Sequence, residues 1–188
     1  MPNATASTIL YAVRHGESIW NIEGRLTGWT DVALTDLGRD QARALRPILQ
    51  EHRFDSVWSS PLIRAYETAQ LAWGEQFTYD ERLKEFNFGE HEGRTLASFN
   101  TDYVQLLRNF ESFEPPGGER GDRFYARVDA FYDSLPLGKH LVFAHGGVIK
   151  RLFERAGHKK FPDNASIVVA DLRQHTIIEE ISNPLLRP

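Results

Sequence analysis

Two stretches of this chain share one pattern, a short apolar run that stops at a histidine followed by glycine. In the first, Ile9, Leu10, Tyr11, Ala12 and Val13 lead to Arg14, His15 and Gly16. In the second, "HLVFA" leads to His145, Gly146 and Gly147. Apolar runs this short, closed by glycine, read as buried strands. After the second, Val148, Ile149, Leu152, Phe153 and Ala156 recur with helical spacing, and Gly157 suits the position just past a helix end. Strands alternating with helices specify an α/β fold: a three-layer α/β/α sandwich with a mostly parallel central sheet. The carboxyl ends of strands in such a sheet face the ligand crevice. If these two strands are neighbours, both imidazoles open into one crevice.

The rest of the chain fits this alternation. Thr35 is a plausible cap for a helix whose stripe is Leu37, Ala44, Leu45, Ile48 and Leu49, and Pro47 predicts a kink or an earlier end. "DSVWSS" reads as a second strand, followed by a helix with Ser60 as cap, Pro61 in its first position and Arg64 near its first turn. Residues 76–79 suit a short strand, and "LKEFNFGEHEGRT" a loop. Phe99, Tyr103, Leu106, Leu107 and Phe110 mark a helix that "EPPGGERG" breaks. Asp122 suits the cap of the next, with Phe124, Val128, Phe131 and Leu135 on one face. "ASIVVADL" and "HTIIEEI" predict a closing hairpin around Arg173 and Gln174.

Composition narrows the chemistry. With 188 residues, 41% of them hydrophobic and 26% charged, one packed domain over 1–188 is expected. Net charge of -4 disfavours nucleic acid and anionic membranes as partners. No apolar run is long enough to span a bilayer, and "MPNATAST" has neither a basic start nor an apolar h-region, so a cytoplasmic location is expected. Cysteine is absent, which excludes disulfides and any thiolate nucleophile. Nothing in the sequence fixes an oligomeric state.

No P-loop, G-x-S-x-G or H-E-x-x-H pattern is present. A zinc site built from His15, His145 and a carboxylate is compatible with spacing, but Arg14 beside a ligand would repel a dication. Arginine points instead to an anion, because guanidinium grips phosphate oxygens in bidentate fashion and stays charged. Arg14 adjoins His15, and Arg64 opens a helix whose N-terminus favours anions. Nearby guanidinium charge also holds an imidazole in the neutral form that a nucleophile requires.

"RHGESIWN", "GRLTGWTDVALTDLGRDQA", "SSPLIRAYETA", "LKEFNFGEHEGR", "PPGGE" and "AHGGV" occur in this order between residues 14 and 148. The set resembles the successive motifs of the histidine phosphatase superfamily, in its phosphoglycerate mutase-like branch. The resemblance implies a phosphohistidine mechanism with no metal and no cofactor. His15 would be the nucleophile, and Arg14, Arg64 and His145 would hold the phosphoryl group. Glu85 would give a proton to the leaving group, in preference to Glu90 and Glu92. Asn21, Thr27, Gly28 and Gly146 would line the phosphate site. Glu17 and Glu119 would support loop and ring geometry.

The family contains hydrolases and mutases. A mutase must shield its intermediate from water. The interval from Glu85 to "PPGG" is short and the tail "SNPLLRP" is brief, so a phosphomonoester hydrolase is expected, with a cofactor-dependent phosphoglycerate mutase as the alternative. "FGEHEGR" and "PPGGE" are similar to segments of alpha-ribazole phosphatase and of broad-specificity phosphatases, which implies a small phosphorylated metabolite as partner. A phosphoprotein substrate gains no support from the charge. A non-catalytic phosphate-binding module is disfavoured because the nucleophile and acid positions are filled. The aromatics at 86, 88, 99, 103 and 110 are expected in the core, with a lining role for the pocket as the second option.

Overall fold

The computed structural model describes residues 7–108 and 110–186, without the side chains of Leu106, Leu107, Arg108 and Glu111. Six strands form one mixed sheet: β1 (Thr8–Arg14), β2 (Ser56–Ser59), β3 (Thr78–Tyr79), β4 (Gly138–Ala144), β5 (Ile167–Asp171) and β6 (Thr176–Ile181). Their spatial order is β3-β2-β4-β1-β5-β6. The first four run parallel, while β5 and β6 add as an antiparallel hairpin.

Successive strand residues point to opposite faces, so each central strand feeds two cores. Leu10 and Ala12 of β1, with Val142 and Ala144 of β4, pack under α5 (Gly121–Ser134) and α6 (Gly146–Arg155). Tyr11, Val13, Leu141 and Phe143 face the other way, onto α2 (Asp36–Gln50) and α3 (Ile63–Ala72). A four-residue turn of helix, α1 (Ile19–Ile22), and α4 (Thr101–Arg108) lie in the connections. The expected three-layer α/β/α architecture is therefore present.

β1 and β4 are paired in register from Thr8↔Gly138 to Arg14↔Ala144. From their ends the chain departs to opposite faces of the sheet: β1 leads to α2, whereas β4 leads directly into α6. That divergence creates a crevice at the strand ends, where open α/β sheets bind ligands.

Four local expectations need correction. The earlier end allowed for α2 does not occur: the helix continues past Pro47 to Gln50, and Pro47 is exposed, so water can satisfy the carbonyl its missing N–H leaves free. Helix α3 begins at Ile63, not Pro61, because Asp31 on a distant loop accepts the Ile63 N–H at 2.8 Å and supplies the cap in place of Ser60. Asp122 is the second residue of α5, where it accepts from Arg123 N at 2.8 Å and pairs with Arg120. The helix expected from Phe99 to Phe110 is α4 followed by a separate 3-10 turn over Phe110–Ser112, with Phe99 ahead of it. Phe86, Phe88 and Phe110 are buried in the core, and Phe99 and Tyr103 pack against it. The Leu106 and Leu107 side chains lie outside the described set.

Candidate active site

His15 and His145 follow the paired residues Arg14 and Ala144, so the sheet register alone brings them together. Their ring centroids are 5.3 Å apart. His15 N donates to Ala144 O at 3.1 Å, which ties the two strand ends directly. The His15 ring Nδ1 lies 2.7 Å from Gly16 O. A carbonyl only accepts, so Nδ1 carries the proton and Nε2 keeps its lone pair.

Burial pushes the His15 pKa well below its usual value, and the charges of Arg64 and Arg14 push it further. His145 is held low in the same way, by burial first and then by Arg64 and His15. Both imidazoles therefore stay neutral as pH falls through the ordinary histidine range. Burial also lowers Arg64 and Arg14, opposed by the Glu85 charge, but only to about 10, so both guanidiniums remain cationic at neutral pH.

Arg64 is fully buried, and its terminal nitrogens donate to Gly28 O at 2.7 Å and Thr30 O at 3.2 Å. Arg14 Nη1 donates to Pro162 O at 2.6 Å. The Nε atoms of both arginines and Nδ1 of His145 are buried without a protein partner among the described residues. A bound anion would satisfy donors of this kind.

Glu85 is buried beside them. Its carboxylate accepts from Phe86 N at 2.8 Å and from Gly147 N, in the first turn of α6, at 3.0 Å. Gly147 is required for that approach: a Cβ built there would lie 2.2 Å from Glu85 Oε1. The rival carboxylates are elsewhere employed. Glu92 accepts from Trp29 N at 2.8 Å and Thr30 N at 2.7 Å, bracing the loop that holds Arg64, and Glu90 is exposed.

The lining residues divide. Gly28 contributes its carbonyl to Arg64, and Gly146 opens α6. Asn21 Oδ1 accepts from Ser18 N and Asn164 Nδ2, both at 3.0 Å, tying α1 to the loop before β5. Thr27 is half-buried, its hydroxyl 3.4 Å from Arg25 O, and among the described residues no hydrogen bond joins it to Arg14, Arg64 or the imidazoles. Glu17 receives the Thr35 hydroxyl at 2.8 Å, and Glu119 forms a bidentate pair with Arg127.

Two contributors had little sequence signal. Ser60 is fully buried with its Oγ 2.7 Å from His145 Nε2. When that hydroxyl donates, the histidine proton resides on Nδ1 and points another donor at the anion. Arg127, on α5, donates to the carbonyls of Arg82, Lys84 and Glu85 at 2.6 to 2.8 Å, fixing the segment that carries Glu85. Among the described residues, no group of three or more His, Asp or Glu is arranged to hold a metal ion.

A crevice at adjacent strand ends holds two neutral histidines, the fully buried Arg64 and the partly buried Arg14, an arrangement of the α/β class that suits an anion. Residues 10–181 match the model of the histidine phosphatase superfamily (branch 1), and the chain belongs to that superfamily. It is 36% identical over 166 residues to 2,3-bisphosphoglycerate-dependent phosphoglycerate mutase 2 of Gloeobacter violaceus, covering 80% of this chain and 76% of that protein. It is 35% identical over 150 residues to a candidate phosphoserine phosphatase of Hydrogenobacter thermophilus, with 74% of each chain covered. The crystal structure of phosphoglycerate mutase from Thermus thermophilus superposes with a TM-score of 0.86 at 36% identity, covering 93% of this chain and 98% of that one. A candidate alpha-ribazole-5'-P phosphatase from Escherichia coli superposes at 0.79 with 26% identity, covering 97% and 98%.

Proposed function

We propose that this protein hydrolyses small phosphomonoesters through a phosphohistidine formed on His15. One observation carries the reading: the Nδ1–H of His15 is committed to Gly16 O, which leaves an unprotonated Nε2 beside two guanidiniums. In the proposed cycle Arg14, Arg64 and His145 hold the non-bridging oxygens of the phosphoryl group. Nε2 attacks phosphorus in line, the N–P bond forms and the ester P–O bond breaks. The departing alkoxide takes a proton from Glu85. Both Glu85 oxygens accept backbone N–H groups, and a phosphomonoester monoanion brings the proton that Glu85 passes on. After the alcohol leaves, water enters, Glu85 removes its proton, and the resulting hydroxide attacks phosphorus. The N–P bond breaks and inorganic phosphate departs.

The hydrolase reading is supported by the short interval between Glu85 and Pro115, which offers α4 and a few 3-10 turns as cover. It is supported too by phosphatase names among the relatives. Mutase names among other relatives favour the second reading, a phosphoglycerate mutase. Product analysis separates them. With chelator-treated protein, 3-phosphoglycerate and a bisphosphoglycerate primer, the hydrolase reading expects inorganic phosphate as the product. Isomerisation to 2-phosphoglycerate faster than phosphate release would overturn it.

A further inference from the structure

The proton from Glu85 goes to the leaving-group oxygen, so the organic part of the substrate must emerge beside that carboxylate. Two half-exposed aromatic rings contact the backbone around it, one at Glu85 itself and one at the start of α6. Trp29, 42% exposed, donates its indole N–H to Glu85 O at 2.8 Å. Phe161, 55% exposed, lies against Gly146, next to the Gly147 N–H that binds Glu85; a Cβ built on Gly146 would be 2.2 Å from the Phe161 ring edge. The Arg14 guanidinium sits 5.1 Å from the Phe161 ring centroid. Phe161 thus touches both the start of α6 and a phosphate-binding arginine while leaving half its surface to solvent.

This ring is not on a loose loop. Its neighbour Pro162 accepts from Arg14, Asn164 Nδ2 donates to His15 O at 3.2 Å and to Asn21 Oδ1, and Ala165 N donates to His15 O at 3.0 Å. The segment is stapled to the nucleophile's own backbone, so the ring is pre-positioned and little entropy is lost when a ligand covers it. The cation over the Trp29 face, Lys84 at 4.7 Å, is already paired with Glu81 at 2.6 Å. The cation nearest the Trp29 ring is thus already neutralised by a partner of its own.

We propose that Phe161, with Trp29, is the specificity-determining contact for the leaving group, and that the site prefers phosphomonoesters whose alcohol carries a flat apolar or aromatic group. The inference rests on the phosphomonoesterase reading for turnover, but it can also be tested by binding alone. The probes are 2-phenylethyl phosphate and ethyl phosphate, both alkyl esters, so the preference does not reflect an easier leaving group. Wild-type protein is expected to favour the phenylethyl ester about tenfold in kcat/KM, chiefly through KM. Phe161→Ala is expected to lose about tenfold on that ester and under about twofold on ethyl phosphate, with Phe161→Trp restoring the preference. Equal losses on both esters would overturn the proposal and assign Phe161 to the support of Arg14. So would a wild-type protein with no preference. Calorimetric binding of 2-phenylethylphosphonate against ethylphosphonate repeats the comparison without turnover. A Phe161-dependent preference there, with no hydrolysis of either ester, would overturn the phosphatase reading alone.

Discussion

His15→Ala loses at least about 10⁴-fold in kcat/KM on every phosphomonoester, because no other group can take up phosphorus. The size of the effect follows from the site. The neighbouring imidazole of His145 has its Nε2 engaged with Ser60, and when that hydroxyl donates, its Nδ1 carries the proton and has no lone pair to offer. Glu85 accepts two backbone N–H groups, and the proposed cycle assigns it to the leaving group. The variant retains Arg14 and Arg64, held by the carbonyls of Pro162, Thr30 and Gly28, so inorganic phosphate should still bind within about tenfold of wild type. Steady-state kinetics with phosphate titration by calorimetry checks both halves. A variant that binds phosphate normally and turns over at the wild-type rate would remove His15 from the chemistry.

Glu85→Gln should separate substrates by their leaving groups. An alkoxide leaves only with a proton, so hydrolysis of an alkyl phosphate is expected to fall by about 10³-fold. An aryl oxide needs little help, so for a nitrophenyl ester the step that breaks the ester bond should slow by less than about tenfold. The amide side chain is isosteric, but its one oxygen can accept from only one of Gly147 N and Phe86 N, so retained phosphate binding must accompany the kinetic comparison. Product bursts measured by stopped flow isolate ester cleavage from the later attack of water. Equal slowing of that burst for both substrate types would exclude the proton-donor role.

The fold was legible because apolar runs, glycines and helical stripes agree with one another over most of the chain. The meeting of the histidines was legible only conditionally. β2 lies between β1 and β4 in the chain, and their adjacency follows from a sheet order that no local pattern encodes. Ser60 illustrates a second limit. A serine before proline and a helical stripe satisfies the rule for a cap, but Asp31 caps that helix from a loop 32 positions earlier in the chain, and Ser60 is freed to contact His145. Arg127 was silent for a similar reason, since its partners are backbone carbonyls more than 40 positions earlier.

The aromatics divide in the same way. Those at 86, 88 and 110 cluster along the chain, and burial among one another makes them core. Phe161, flanked by lysines and a proline, carries no periodic signal and reads as an ordinary loop residue. Its position became visible only when the ring was found against Gly146 and Arg14.

The central claim is that phosphorus is bonded to the protein between substrate and product. The steric course of phosphoryl transfer from an ester chiral at phosphorus to an acceptor alcohol tests it most directly, whether or not the intermediate accumulates. Two successive in-line displacements, one by His15 and one by the acceptor, predict net retention of configuration. Net inversion would mean a single direct displacement and would contradict the account.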